Sequence, residues 1–169
     1  MRNMLTKLDD INRRRFVEYA AKSALGVSVL PLFNGVLNAA QEKTLSRVDE
    51  IDAAYTRTLA KATDRTIVVA HDAYTLLATR YELTTVAIAG LNASEPTMKD
   101  IRQAIDAVKS QGAKVVFVEP QLSRSAGDKV AQATGVKVLV LDPVGGDDWF
   151  VTMSKNLDSL AKGLGITRE

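Results

Sequence analysis

The sequence predicts an α/β protein built on a four-stranded parallel sheet flanked by helices. Three observations carry that prediction. Four short runs rich in β-branched residues recur between positions 66 and 141. Each is followed by a stretch of three- and four-residue apolar spacing, longer than a hairpin loop and suited to a crossover helix. Gly112, Pro120, Gly135 and Pro143 stand where the period changes. Alternation of this kind implies right-handed βαβ units.

The first 40 residues stand apart from this pattern. Asn12-Arg13-Arg14-Arg15-Phe16-Val17 precedes an apolar run, Ala20 to Phe33, broken by Lys22 and Ser23. A basic stretch followed by a modest apolar one reads as an export signal rather than a structural helix. Consecutive arginines followed by Phe and an aliphatic residue resemble the twin-arginine type. Small residues near Leu37-Asn38-Ala39-Ala40 offer a cleavage region without a clean A-x-A. The competing readings are a basic amphipathic helix and an uncleaved membrane anchor. The expected organisation is a signal segment at 1–40, a helix remnant at 41–65 and an α/β lobe at 66–165.

Each element of the body has its own signal. Residues 42–62 place Leu45, Val48, Ile51, Ala54, Tyr55 and Leu59 at helical steps with charges between them. Thr66 leads into a strand at 66–70, and Asp72 caps a helix at about 72–81. Val86-Ala87-Ile88 is the second strand. Glu95-Pro96 leads into a helix at about 97–110, with Met98, Ile101, Ile105 and Val108 on one face and Gly112 as its stop. The third strand spans 114–118 and ends in Glu119-Pro120. A helix at 123–133 ends at Gly135, and the fourth strand is 137–141. Asp147-Asp148 cap a last helix through about 162.

Composition narrows the function. The chain has 169 residues, a length for one domain, and 46% hydrophobic with 25% charged content supports a packed core. The net charge of +2 is uneven. Residues 1–40 hold six Lys/Arg against three acids, which leaves the remainder at −1. With 5% aromatics as well, the body lacks both the basic excess and the stacking surface of a nucleic-acid binder. There is no cysteine, which excludes disulfides, thiolate metal sites, a cysteine nucleophile and a lipidated N-terminal cysteine.

Chemistry concentrates at the strand ends. His71, the single histidine, closes the first strand, and Asp142 follows the fourth. In an open parallel sheet the carboxyl ends of the strands form the rim where ligands bind. An imidazole and a carboxylate on one rim are half of a metal site. Glu119 also ends a strand, and its expected role is to bond loop amides. Gly145-Gly146 lies where phosphate could bind, but no dinucleotide or P-loop fingerprint exists. Ser123 and Ser125 have no adjacent base, so no hydrolytic triad is supported and the chain is not expected to be an enzyme.

Several stretches resemble one family. They are Val68-Val69-Ala70-His71-Asp72-Ala73-Tyr74 with Leu77-Ala78-Thr79-Arg80-Tyr81-Glu82-Leu83, then Val116-Phe117-Val118-Glu119-Pro120-Gln121, then Val138-Leu139-Val140-Leu141-Asp142-Pro143-Val144-Gly145-Gly146. Together they resemble the C-terminal lobe of the zinc/manganese ABC-transporter solute-binding proteins, over about residues 42–163. The resemblance implies two α/β lobes joined by a long helix, with one divalent metal held between them. It assigns His71 and Asp142 as metal ligands from this lobe and 42–62 as the end of the linking helix. It implies Zn²⁺ or Mn²⁺ as cargo, an ABC permease as partner, and an exported, periplasmic location. The matched stretch lacks the family's first lobe, so a homodimer or a separate first lobe would have to complete the site. The alternative is a truncated relative without a metal site, a structural or interaction module with an uncovered apolar face on helix 42–62.

Overall fold

The structure is a computed structural model that describes residues 31–90, 95–146 and 148–167, with 31–40 as backbone only. The chain divides into two units, Met1–Lys43 and Thr44–Glu169. Most of the first unit, including the arginine-rich stretch and the apolar run up to residue 30, lies outside the described residues. No described helix is long and apolar enough to cross a membrane.

Helix α1 runs over Pro31–Leu59, followed by β1 (Thr66–His71), α2 (Thr75–Tyr81), β2 (Thr84–Ala89), α3 (Met98–Gln111), β3 (Val115–Val118), α4 (Ser125–Thr134), β4 (Lys137–Val140) and α5 (Trp149–Gly163). The strands form one parallel sheet in the order β2-β1-β3-β4. The α/β class, the four strands and the parallel pairing are as the sequence predicts.

Several boundaries differ, most for a local reason. Helix α1 covers Pro31–Leu59 and so extends N-terminal of the expected residue 42. It stops at Leu59 rather than 62, where Lys61 N–H donates to Thr58 O and Ala62 N–H to Leu59 O, tightening the last turn. Helix α2 starts three residues later than Asp72 suggests. Its N-cap is Tyr74 with no side-chain cap, while the Asp72 carboxylate accepts from the Thr75 hydroxyl. Strand β2 begins at Thr84 because the Thr84 N–H reaches Arg65 O and extends the ladder. Thr97 and Asp100 form a reciprocal capping box on α3, and Asp148 caps α5 through the amides of Phe150 and Val151. Gly112 and Gly135 end α3 and α4 in the left-handed region, φ 69° and 76°, as their positions predict.

Side-chain parity divides the core into two layers. Ile67, Val69, Val115 and Phe117 pack with Tyr55, Leu59, Ala78, Leu157 and Leu160, so α1, α2 and α5 cover one face. Val68, Val116 and Ile88 pack with Ile101, Ala104, Val108 and Val130, so α3 and α4 cover the other. Burial on both faces explains why β1 and β3 read as continuous apolar runs. The apolar face of α1 is covered from Ile51 to Leu59, whereas Leu45 on the same face is exposed. Tyr55 and Leu59 are buried and Ile51 and Ala54 pack against the same cluster, while the Tyr55 hydroxyl donates to Met153 O at 2.8 Å. The uncovered helix face expected of a truncated module is therefore absent from Ile51 to Leu59.

The winding matters for function. The chain moves outward from β1 to β2, returns past β1 to β3, and moves outward again to β4. The reversal falls between β1 and β3, and a crevice opens beyond their carboxyl ends.

Candidate metal centre

His71 and Glu119 occupy that crevice. His71 is the last residue of β1, and Glu119 immediately follows β3. The odd residues of both strands face the α1/α2/α5 layer, so the two side chains rise from one face. His71 Nδ1 lies 2.6 Å from Glu119 Oε1. The Glu119 side chain is 2% exposed and that of His71 15%. Burial pushes the Glu119 carboxyl above its ordinary range, and pairing with His71 works against that push. Glu119 thus bonds an imidazole forty-eight residues away, correcting the expectation that it bonds loop amides. A buried carboxylate at Nδ1 favours the proton on that nitrogen and leaves the Nε2 lone pair for a cation.

Asp142 stands two residues beyond β4, on the same rim, with β3 between it and His71. Its Oδ1 accepts from Gln121 Nε2 at 2.8 Å, Val144 N–H at 3.0 Å and Gly145 N–H at 3.1 Å. Partial burial raises its carboxyl, but donation from Gln121, Gly145 and Val144 outweighs that and holds it below the ordinary carboxylate range. Asn156, buried on α5, clamps the backbone beneath. Its Oδ1 accepts from Asp142 N–H at 2.9 Å and its Nδ2 donates to Asp142 O at 2.7 Å.

Tyr74 joins the two positions. Its hydroxyl donates to Leu141 O at 2.9 Å, and burial followed by the charges of Glu119 and Asp142 pushes the phenol well above its usual value. The two predicted residues therefore flank one buried tyrosine, although no direct contact joins them. Among the described residues, no group of three or more His, Asp or Glu side chains gathers as a metal cluster. The donors on offer are one imidazole nitrogen and one carboxylate, a borderline set that suits zinc in chemistry but falls short of its usual four in number.

Sequence reasoning missed three supporting residues and gave a fourth, Glu119, another role. Glu119 carried a signal, a carboxylate directly before proline at a strand end. Tyr74, Gln121 and Asn156 carried none, because each acts across a distance that local periodicity does not encode. Asp147, expected to cap with Asp148, lies outside the described residues.

The fold and this rim define the class, a lobe of the solute-binding type. The laminin-binding protein Lmb of Streptococcus agalactiae, described as a bifunctional protein with adhesin and metal transporting activity, superimposes with a TM-score of 0.62 at 27% identity. The alignment covers 69% of this chain and 48% of that one. A crystal structure of ZnuA matches in fold with a TM-score of 0.68 at 24% identity, covering 75% and 47% of the two chains. The family model of the zinc-uptake complex component A periplasmic proteins, ZnuA, matches residues 29–163, and the chain belongs to that family.

Curated relatives agree. The zinc-binding protein AdcA of Streptococcus pyogenes serotype M6 is 31% identical over 126 residues, 69% of this chain and 24% of the relative. The high-affinity zinc uptake system protein ZnuA of Bacillus subtilis is 28% identical over 130 residues, 71% and 41% respectively. The chain thus spans a quarter to two-fifths of these relatives and about half of the solved chains.

Proposed function

We propose that this chain is the metal-binding component of an ABC metal uptake system, present as a half-module that contributes His71 and Asp142 to a site finished by a second chain or lobe. The observation that carries the reading is the buried Glu119 carboxylate on His71 Nδ1 at the crevice between β1 and β3. A carboxylate behind an imidazole is how metal-ligating histidines are usually oriented, and it leaves Nε2 facing the ligand side. Imidazole with carboxylate favours Zn²⁺, and Mn²⁺ to a lesser degree. Two donors alone give a weak site. Relatives with zinc-binding and zinc-uptake names support the cargo, and a permease with its ATPase is the implied partner. In this reading residues 1–40 are a twin-arginine-type export signal or an uncleaved anchor, 41–65 are the end of a linking helix, and 66–165 work outside the cytoplasm.

A competition titration with Zn²⁺ tests this. His71→Ala is expected to lower the affinity by about 100-fold or more, since it removes one of two donors. Unchanged affinity in that variant overturns the proposal. One observation favours a second reading, a module that keeps the fold without the site. The Asp142 Oδ1 already accepts three hydrogen bonds from its own rim. That reading predicts no shift in melting temperature when Zn²⁺ is added.

A further inference from the structure

The described residues include seven large apolar side chains that are exposed, and six of them lie at the rim formed by the carboxyl ends of the strands. Leu76, Met98, Trp149 and Val151 sit in first helical turns, Val140 ends β4, and Val144 lies in the loop after it. Leu76 is 86% exposed and Val144 70%. Single exposed hydrophobes are ordinary, but a concentration around one mouth marks an interaction surface. The same end is acidic. Its strand-to-helix turns hold Asp72, Glu95, Glu119, Asp142 and Asp148, the first helical turns add Asp100 and Asp128, and the bases among the same residues are Lys99 and Arg124, the latter paired with Asp128. The opposite end carries Lys61, Arg65, Lys109, Lys114 and Lys137 at or beside the strand starts and helix ends.

We propose that this rim is a self-association face, where two copies close mouth to mouth around one divalent cation. The inference rests on the metal-binding reading above and names the second chain. Two features select a second copy. Two-fold symmetry doubles one imidazole and one carboxylate to two of each, the four donors that zinc takes. Apolar residues ringing the mouth are complementary to themselves in an isologous contact, whereas the carboxylates are not. Like-charged rims repel until a cation sits between them. The association is therefore gated by metal, with the apolar ring supplying area and the cation removing the repulsion.

Sedimentation velocity on the full chain, first stripped with EDTA and then titrated with Zn²⁺, tests this. The expected result is a monomer of 18.3 kDa in EDTA, a doubled mass with Zn²⁺ at one ion per two chains, and reversal by chelator. Leu76→Asp and Met98→Asp alter exposed side chains away from the residues that hold His71 and Asp142, so the metal-free melting temperature should not change. Both should hold the chain monomeric and weaken Zn²⁺ binding about tenfold, the effect of losing one or two buried apolar side chains at the contact. A monomer that binds Zn²⁺ one to one, indifferent to these substitutions, leaves the metal reading standing and overturns self-association. A chain that binds no Zn²⁺ in any state overturns both. Metal-independent assembly that dissolves in salt, or Zn²⁺ binding that appears only after a separately produced first lobe is added, also overturns the two-fold contact.

Discussion

At the tip of β1 the functional side chain is held by a partner from far along the chain; at the tip of β4 two of its three hydrogen bonds come from its own loop. His71 is fixed by Glu119 across forty-eight residues, in a place where the carboxylate is almost fully buried. Asp142 is fixed by the amides of Val144 and Gly145, two and three residues on, and by the nearby Gln121. Burial raises the Glu119 carboxyl, whereas hydrogen bonds lower that of Asp142 against the effect of partial burial. The turn amides at Asp142 form locally, and Gln121 from the loop after β3 adds to their donation. The imidazole is oriented only when two strands lie side by side. Metal affinity should therefore be more sensitive to the β1 tip than to the β4 tip.

The sharpest way to break that comparison is Glu119→Ala. Removing the partner of His71 Nδ1 should lower Zn²⁺ affinity by roughly 10- to 100-fold, as loss of such second contacts does. Competition titration reads it, and Glu119→Gln, which keeps an acceptor, should recover part of the loss. If Glu119→Ala weakens binding no more than changes at the β4 tip do, the two tips are equivalent.

Next in size is Asn156→Ala, which strips two hydrogen bonds from the Asp142 backbone. The change should cost about 1–3 kcal/mol of stability, the penalty for buried polar groups left unpaired. Denaturant unfolding measures it, and the metal-affinity loss should stay below that of Glu119→Ala.

Tyr74→Phe tests the link between the tips. It leaves Leu141 O without its donor and should cost about 1 kcal/mol. The phenol also has a pH signature. Its folded-state value is raised above the ordinary 10.0, so its contribution to stability is complete below pH 10 and is lost as the pH rises through the folded value. Wild type should show that alkaline decline more steeply than Tyr74→Phe.

The smallest effect belongs to Gln121→Ala. It removes one of three donors to Asp142 Oδ1 at an exposed position and should change stability by less than about 1 kcal/mol. A larger loss, read by the same unfolding assay, would mean that the β4 tip is not held by its loop amides.

The strand tips also mark where the sequence could and could not be read. The central strands β1 and β3 were legible because burial on both faces demands uninterrupted apolar runs, and the edge strands β2 and β4 were legible from their β-branched residues between turn signals. Gly112, Gly135 and Asp148 announced their helix ends because capping is decided within a few residues, while the Thr97–Asp100 capping box went unread. The start of α2 was misread at Asp72, since Tyr74 is drawn inward to Leu141 O and the helix begins only at Thr75. Length along the chain also misled at α1, which runs on through Gly35, N-terminal of the expected start at 42.

Taken by itself, the sequence determined the elements, their parallel βαβ alternation, and the placing of His71 and Asp142 at strand ends, because period and turn chemistry act over a handful of residues. Strand order is not written in any period. Only the tertiary structure decided that β1 and β3 are neighbours, and so that Glu119 meets His71 rather than its own loop. The physical reason is that side-chain partnership across a sheet depends on which hydrophobic faces pack together, a choice made by the whole core at once.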